Sequence, residues 1–253
     1  MLLSVLMLLI VSGTQGSHYL GTVVTYYTKE TFTNRSVSVI VRFKYNFKTC
    51  DNGTFVCTGN CGDESLVGKK SEVQTNMWCQ TEQITSRLLP NNSPFQLVYD
   101  SNAWVTNLYD LTSWRAVAEV ELRSRSDTNK PNSSPQTTIL LVLRFPSNCL
   151  RNINLVTFDP DGDKVKCRYA DHRMKECYSP CTPPPVLSLS SNCTFSFNAT
   201  SNKTEGLYAV QMVMEDFPRQ QITLTQADRS QVVKTTSDAI SRIPIQFGIQ
   251  GKV

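Results

Sequence analysis

The chain has 253 residues, of which 40% are hydrophobic, and its 25 Lys and Arg against 21 Asp and Glu give a net charge of +4. The charges are spread along the chain without a long basic run, which excludes a nucleic-acid or membrane-surface footprint. This length suits two domains of about 100 to 150 residues each.

The first sixteen residues, MLLSVLMLLIVSGTQG, form an apolar stretch that is followed at once by small and polar residues. This pattern predicts a signal peptide over residues 1–16. The run is shorter than the roughly 20 apolar residues that a membrane span needs, and no second run of that length follows. The alternative is a buried N-terminal strand or short helix. We therefore expect a secreted chain with no membrane insertion.

Strand patterns dominate the first half. Between Val37 and Phe47 apolar side chains occupy one parity and polar side chains most of the other, which predicts a half-buried strand. Similar but shorter patterns predict three more strands, at Tyr19–Tyr27, Gln96–Tyr99 and Ala116–Arg123.

A polar stretch rich in Ser, Asn and Pro, SRSDTNKPNSSP, covers residues 124–135. Such composition is typical of a linker, so we predict one domain over 17–130 and a second over 131–253. The alternative is a long hairpin loop within a single domain.

The segment Asp159-Pro-Asp161-Gly-Asp163 carries three carboxylates at alternate positions. Carboxylate oxygens are the ligands that Ca²⁺ prefers, and Glu215 and Asp216 are candidate extra ligands if their strand ends beside this segment. The spacing does not fit an EF-hand loop. The alternative, which the composition favours, is a tight turn without a metal.

A second strictly alternating segment runs from Leu187 to Asn198, with Asn192 and Asn198 on its polar face. Further strands are predicted at Ile139–Phe145, Asn152–Phe158, Leu207–Met214, Gln221–Thr225 and Pro244–Ile249. Short strands separated by turn residues are typical of antiparallel sandwiches. The predicted fold class is therefore all-β, with two antiparallel β-sandwich domains in tandem.

The chain has nine cysteines, which we expect to form disulfides in an oxidising compartment rather than to bind metal. They are Cys50, Cys57, Cys61 and Cys79 in the first half, and Cys149, Cys167, Cys177, Cys181 and Cys193 in the second. Spacing leaves the connectivity open, although a local Cys177–Cys181 pair is favoured. Because the count is odd, one cysteine is expected to bridge to the other half, to a second chain, or to sequence after Val253.

Seven Asn-x-Ser/Thr sequons accompany the predicted signal peptide. A glycan needs a solvated attachment point, so each sequon predicts a surface position. The asparagines are Asn34, Asn52, Asn91, Asn132, Asn192, Asn198 and Asn202.

Catalytic patterns are scarce. A Ser-His-Asp or Cys-His arrangement would have to use His18 or His172, and no Gly-x-Ser-x-Gly, His-Glu-x-x-His or phosphate-binding Gly-rich loop occurs. We therefore expect no enzyme activity and no required cofactor. Trp78, Trp104 and Trp114 suggest either a carbohydrate platform or core packing, and core packing is favoured.

The second half resembles cadherin-like or immunoglobulin-like extracellular sandwiches in the runs TFDPDGDKVKCRYA, LSLSSNCTFSF and EGLYAVQMVMEDFP. The resemblance matches Asp159, Asp161 and Asp163 to an acidic turn, followed by a strand with Gly206, Tyr208 and Asp216. It implies Ca²⁺ binding or turn formation by the acidic group.

Most of the mature chain resembles the N-terminal region of animal extracellular proteins described as von Willebrand factor D and EGF domain-containing-like. The matching runs are HYLGTVVTYY, the Trp114-Arg115 strand with SRSDTNKPNSSP, and LRFPSNCLRNINLVTFDPDGDKVKCRYA. In that family further domains would follow residues 243–249, so the resemblance implies a truncated or short paralogue.

Together these patterns predict a secreted glycoprotein that acts as a binding or adhesion module for an extracellular protein or matrix partner. One alternative is a structural spacer within a larger ectodomain. Another is a hydrolase that uses His172.

Overall fold

A computed structural model describes residues 19–50, 53–74, 78–102, 104–139, 141–146, 149–179, 181, 185–198 and 205–252. The predicted signal peptide, His18 and the sequons at Asn52 and Asn202 lie outside these residues. Within them every regular element is a strand except a short 3-10 turn at His172–Met174. The all-β prediction is confirmed.

Nineteen strands are described, and they are numbered in chain order. They are β1 Tyr19–Thr31, β2 Val37–Phe47, β3 Val56–Gly59, β4 Asp63–Gln74, β5 Cys79–Leu89, β6 Phe95–Asn102, β7 Ser113–Val120, β8 Ser124–Arg125, β9 Gln136–Thr137, β10 Val142–Pro146, β11 Arg151–Asn154, β12 Thr157–Phe158, β13 Lys164–Tyr169, β14 Leu187–Leu189, β15 Thr194–Phe197, β16 Gly206–Phe217, β17 Ile222–Thr225, β18 Gln231–Lys234 and β19 Arg242–Lys252.

The largest sheet follows the order β3-β6-β7-β19-β1-β2-β5-β4, with β16, β13 and β10 joined to it through β19. Its pairings are antiparallel except that of β10 with β19. Strands β3 and β4 stand at opposite ends of this order, yet only residues 60–62 separate them in sequence. The sheet therefore curls so that its two ends approach each other, and the Cys57–Cys61 disulfide lies at that junction.

Three small sheets complete the described fold. Strands β11, β15 and β14 form one, β12 and β9 form a second, and β18, β17 and β8 form a third. The third sheet pairs Leu224 of β17 with Arg125 of β8, so the segment expected to be a linker is held by strand pairing.

Strand β19 connects the two halves of the chain. It pairs with β16 and β10 of the second half, with β1 through Thr22–Gln246 and Val23–Ile245, and with β7 through Glu119–Arg242. One hydrophobic cluster contains core residues from both halves. The division at residue 130 stays a prediction, but the described residues on its two sides share one core.

Aromatic side chains fill much of this core. The rings of Tyr19 and Trp114 stack with centroids 4.1 Å apart, and Trp104 meets Tyr19 edge-on at 4.9 Å. Both tryptophans are buried, so core packing is their role. Strand β2 has the predicted bounds, and its alternate residues Val37, Val39 and Val41 are fully buried.

Two predicted strands are each divided into two. The predicted strand Asn152–Phe158 covers parts of β11 and β12, which belong to different sheets. The segment 187–198 is a hairpin of β14 and β15 rather than one strand, with Leu187 opposite Phe197 and Leu189 opposite Phe195. Its turn is closed by hydrogen bonds between Ser190 and Thr194, and Cys193 adopts a left-handed φ of 63°. The turn preserves the alternation, which is why the pattern resembled a continuous strand.

Candidate functional site

A buried polar cluster joins segments from both halves of the chain. Its centre is Arg125 of β8, whose side chain has no exposed surface. We call this group the Arg125 cluster; its members are Arg125, Asp127, Asn132, Asp159, Asp161, Asp163 and Asp216.

The Arg125 guanidinium makes a dense set of contacts. Both its terminal nitrogens bind Asp163, one of them at 2.9 Å from Oδ1. Its Nε and Nη2 donate to Asp127 at 3.0 and 2.8 Å, and Nη1 donates to Asn132 Oδ1 at 2.6 Å. Burial opposes the charge, but the hydrogen bonds to Asp163 and Asp127 outweigh it and raise the pKa of Arg125. The hydrogen bond from Arg125 also lowers the pKa of Asp127.

The acidic turn between β12 and β13 presents its carboxylates to this guanidinium. Asp159 Oδ1 accepts the backbone N–H groups of Asp161 at 2.9 Å and Asp163 at 3.2 Å, while Gly162 N–H donates to the Asp159 carbonyl at 3.1 Å. Gly162 has a φ of +83°, which suits glycine. Asp159 Oδ2 is buried without a hydrogen-bond partner, and burial raises the pKa of Asp159 to about 6.

Asp216, near the end of β16, is fully buried. Its Oδ1 accepts the N–H and hydroxyl of Ser241 at 2.7 and 2.8 Å, and its Oδ2 accepts Asn132 Nδ2 at 2.7 Å. Burial, the largest effect, raises the pKa of Asp216 to about 7 despite these donors, and the nearby charge of Asp159 raises it further. The Asp216 carboxylate therefore links two segments to β16. It binds the 126–135 loop through Asn132, and it binds Ser241, the residue before β19.

Asn132 departs from the expected surface position. Its side chain is fully buried between Arg125 and Asp216, and Nδ2 also approaches the hydroxyl of Tyr26 at 3.4 Å. An N-glycan is attached through Nδ2, and this atom has no open path to solvent here. The sequon therefore lies in a structural position, because its amide links a cation to an anion.

The other described sequons are more open. Asn34, Asn192 and Asn198 are exposed, and Asn91 is half-buried in a turn where its Oδ1 accepts Ser93 N–H at 2.9 Å. Glycosylation at these positions stays a prediction.

The Ca²⁺ prediction named Asp159, Asp161, Asp163 and Asp216. Ligand atoms of the first three lie within 4.8 Å of one another, and Asp216 is not in that group. Most of the oxygens already have protein partners: Asp163 binds Arg125, and Asp161 Oδ2 accepts Ser133 N–H at 2.6 Å and lies 3.7 Å from Arg125. The structure thus shows an acidic triad in which a guanidinium supplies positive charge.

The sequence did not identify Arg125. It lies in the polar stretch interpreted as a linker, and an isolated arginine there carries no distinguishing pattern. The only available signal was electrostatic, because a turn with three carboxylates near a strand end with Glu215 and Asp216 requires compensating charge.

A cleft of about 460 Å³ lies between the β6–β7 region and the β17–β18 hairpin. Phe95 and Ile240 line it with buried apolar surface. Its charged groups are largely paired across the lining: Arg123 binds Glu121 at 2.6 Å, Arg242 binds Glu119 at 2.6 Å, and Lys234 Nζ donates to the Ala239 carbonyl at 2.7 Å.

The cysteines form four disulfides in the described part of the chain, each within one half. They are Cys50–Cys79, Cys57–Cys61, Cys167–Cys193 and Cys177–Cys181. The last is the local pair that the sequence favoured. Cys149 is the cysteine outside these four, and it is partly buried.

His172 lies in the 3-10 turn beside a shallow pocket that is also lined by Arg115, Lys175 and Tyr178. Arg115 Nε donates to the Lys175 carbonyl at 2.9 Å, and the Tyr178 hydroxyl donates to Asp100 at 2.6 Å. No serine or cysteine nucleophile with a hydrogen bond to His172 is seen among the described residues. These contacts instead dock the Cys177–Cys181 loop onto β6 and β7.

Comparison with known proteins assigns this chain to no family. No family model matches the chain, and no curated protein matches it. Among solved structures, the tandem Ig repeats of Dlar align with 85% of this chain and 90% of that chain at 11% identity and a TM-score of 0.23. At that TM-score nothing about fold or function follows, and the family resemblances of the sequence gain no support.

No helix in the described part of the chain is long and apolar enough to cross a membrane.

Proposed function

We propose that the chain is a secreted, glycosylated binding or adhesion module of the extracellular space. The observation that carries this proposal is the set of four disulfides in an all-β fold, because such bonds persist in oxidising compartments. The apolar leader over residues 1–16 and the exposed sequon at Asn34 support it. The partner is an extracellular protein or matrix component.

The cleft beside the β17–β18 hairpin is the surface we assign to that partner. Its volume lies in the range of ligand sites, about 300 to 1,000 Å³. Carboxylates and cations surround the apolar floor formed by Phe95 and Ile240. This lining suits a polar peptide segment that carries both charges, since it can exchange ion pairs with Arg123–Glu121 and Arg242–Glu119.

A glycan placed at the cleft tests this assignment. Lys234→Asn creates an Asn-Thr-Thr sequon at a residue of β18 that lines the cleft, whereas Asp228→Asn creates an Asn-Arg-Ser sequon at the hairpin tip. Binding of the secreted protein to cells or matrix should be lost with the first variant and kept with the second. Equal binding by both variants would exclude the cleft, and wild-type protein that binds nothing would favour the structural spacer.

For the acidic turn we propose a structural function in which Arg125, rather than Ca²⁺, provides the compensating cation. Four of the six carboxylate oxygens of Asp159, Asp161 and Asp163 already accept hydrogen bonds from the protein, while Ca²⁺ takes six to eight oxygen ligands. We expect the same thermal unfolding midpoint in millimolar Ca²⁺ and in chelator. A rise in Ca²⁺ that Asp161→Asn abolishes would establish a metal site instead.

A further inference from the structure

Strand β4 is an edge strand with an unusual composition. It ends the order of the large sheet, pairs on one side with β5, and pairs on its other side with no strand among the described residues. Leu66 and Val67 at its centre are 62% and 60% exposed. Unpaired backbone groups beside exposed apolar side chains form a template for strand addition.

Within residues 63–70 of β4 the acidic residues lie at one end and the basic residues at the other, and Glu72 follows this segment. Asp63 and Glu64 lie before the Leu66-Val67 centre, and Lys69 and Lys70 lie after it. An antiparallel second copy of the strand, centred between Leu66 and Val67, would set Asp63 opposite Lys70 and Glu64 opposite Lys69. Opposite charges that face each other across two strands stabilise a pairing, and like charges oppose it.

Directly opposite residues must also point to the same face of the sheet. Asp63 and Lys70 are seven residues apart, so a regular strand would place them on opposite faces. The bulge between Leu66 and Gly68 removes this conflict. Asp63 and Lys70 pair with Leu88 and Glu82 of β5, which share one face, and Glu64 and Lys69 pair with Arg87 and Gln83, which share the other.

We propose that β4 binds β4 of a second copy of this chain, antiparallel, about a two-fold axis between Leu66 and Val67. The contact is isologous, because each acidic end meets the basic end of its partner. Bulges and lysines on an edge strand commonly oppose association. Here the basic residues have acidic counterparts at the matching register, and none of the seven sequons lies in β4.

This inference does not depend on the cleft, which is formed by other strands. A matched pair of glycan variants tests it in the full secreted chain. Asp63→Asn creates an Asn-Glu-Ser sequon on β4, and Asp228→Asn creates an Asn-Arg-Ser sequon with the same change of charge on an exposed hairpin tip. Light scattering after size exclusion should give a dimer for wild type and Asp228→Asn, and a monomer for Asp63→Asn.

A charge exchange tests the register itself. Asp63→Lys places lysine opposite Lys70, and Lys70→Glu places glutamate opposite Asp63, so each variant alone should be monomeric at low salt. Mixing the two variants should restore a heterodimer, because Lys meets Glu at one end and Asp meets Lys at the other. Lys70→Glu also removes the 3.6 Å ion pair of Lys70 with the buried Glu82 of β5, so recovery of the heterodimer on mixing, rather than loss of the dimer in this variant alone, establishes the register. Glu64 remains available to Arg87, its ion-pair partner at 2.6 Å.

Two outcomes would overturn the proposal. One is a wild-type protein that stays monomeric at all accessible concentrations. The other is a dimer that Asp63→Asn and the two charge variants leave intact. Leu66→Arg should also give a monomer, whereas Val156→Arg, at an exposed valine between β11 and β12 and outside the β4–β5 pair, should not.

Discussion

Arg125 is the residue on which the buried polar cluster depends. Its guanidinium has no contact with solvent, and its charge is offset by Asp127, Asp161 and Asp163. Buried ion pairs give little net stability relative to apolar packing, but removal of one partner leaves the other charge buried and unpaired. The cluster therefore specifies how the 124–135 segment sits on the acidic turn.

Replacement of Arg125 should accordingly be severe. Arg125→Met leaves Asp163 and Asn132 without their donor, and we expect it to lower the free energy of unfolding by about 3 to 5 kcal/mol. Arg173→Met is the control, because Arg173 is 91% exposed and its ion pair should contribute little. Urea denaturation of both variants measures the difference. Equal stability of the two would mean that the cluster is dispensable.

Asp216 and Asp159 make stability depend on pH. Their pKa values in the folded chain, about 7 and about 6, exceed the ordinary value of 3.8. At pH values between 3.8 and these raised pKa values, the folded state holds protons that the unfolded state has released. The free energy of unfolding therefore falls as pH rises. Each unit of pKa difference corresponds to about 1.4 kcal/mol.

We therefore expect greater stability near about pH 5 than near about pH 8, measured by urea denaturation. Asp216→Asn should flatten this dependence, because the most strongly shifted carboxyl is gone. The lowered pKa of Asp127 acts in the opposite sense, and its stabilisation is lost only under more acidic conditions. Wild-type protein that is more stable at the higher pH would contradict the burial of these carboxyls.

At the scale of elements, the alternation of apolar and polar residues predicted some strands well and missed others. Strand β2 was predicted to the residue, since one face is buried in the core and the other is more open. Strand β4 was missed because residues 63–67, 69 and 70 are all exposed, so no face of it had to be apolar. The acidic turn was visible in the sequence, whereas Arg125 and Asn132 became cluster members only through long-range contacts.

The second half has one long-range and one short-range disulfide, and the two should contribute different amounts to the stability of the fold. Cys167–Cys193 spans 26 residues and fixes the β14–β15 turn against β13, while Cys177–Cys181 spans 4. Loop-closure entropy gives about 3.5 kcal/mol for the first and about 2 kcal/mol for the second. Paired Cys→Ser variants, compared by chemical denaturation, should show this order. The reverse order would indicate that the local loop carries the larger share.

At the scale of the whole molecule, β19 unites the chain. The last strand pairs with β1 and β7 as well as β16, and Phe247 and Ile249 are fully buried in the shared core. Sequence patterns could place strands in both halves, but they could not show that the final strand returns to the first. Such a pairing depends on contacts more than two hundred residues apart, which no local pattern encodes.

Separate halves should consequently fail to fold. Residues 17–130 alone lose the β19 neighbour of β1, and residues 131–253 alone leave the edge of β19 that pairs with β1 and β7 without those strands. We expect little amide dispersion in NMR spectra of either fragment, with native spectra for the intact chain. A dispersed spectrum from either fragment would support two autonomous domains.

Peptide mapping under non-reducing conditions, after expression of the protein in a secretory host cell, most directly tests the proposal of an exported, disulfide-bonded module. The predicted result is the connectivity Cys50–Cys79, Cys57–Cys61, Cys167–Cys193 and Cys177–Cys181, with the two four-residue disulfides inside single peptides and no glycan on the Asn132 peptide. Reduced cysteines throughout, disulfides that cross between the halves at these positions, or a glycan on Asn132 would contradict it.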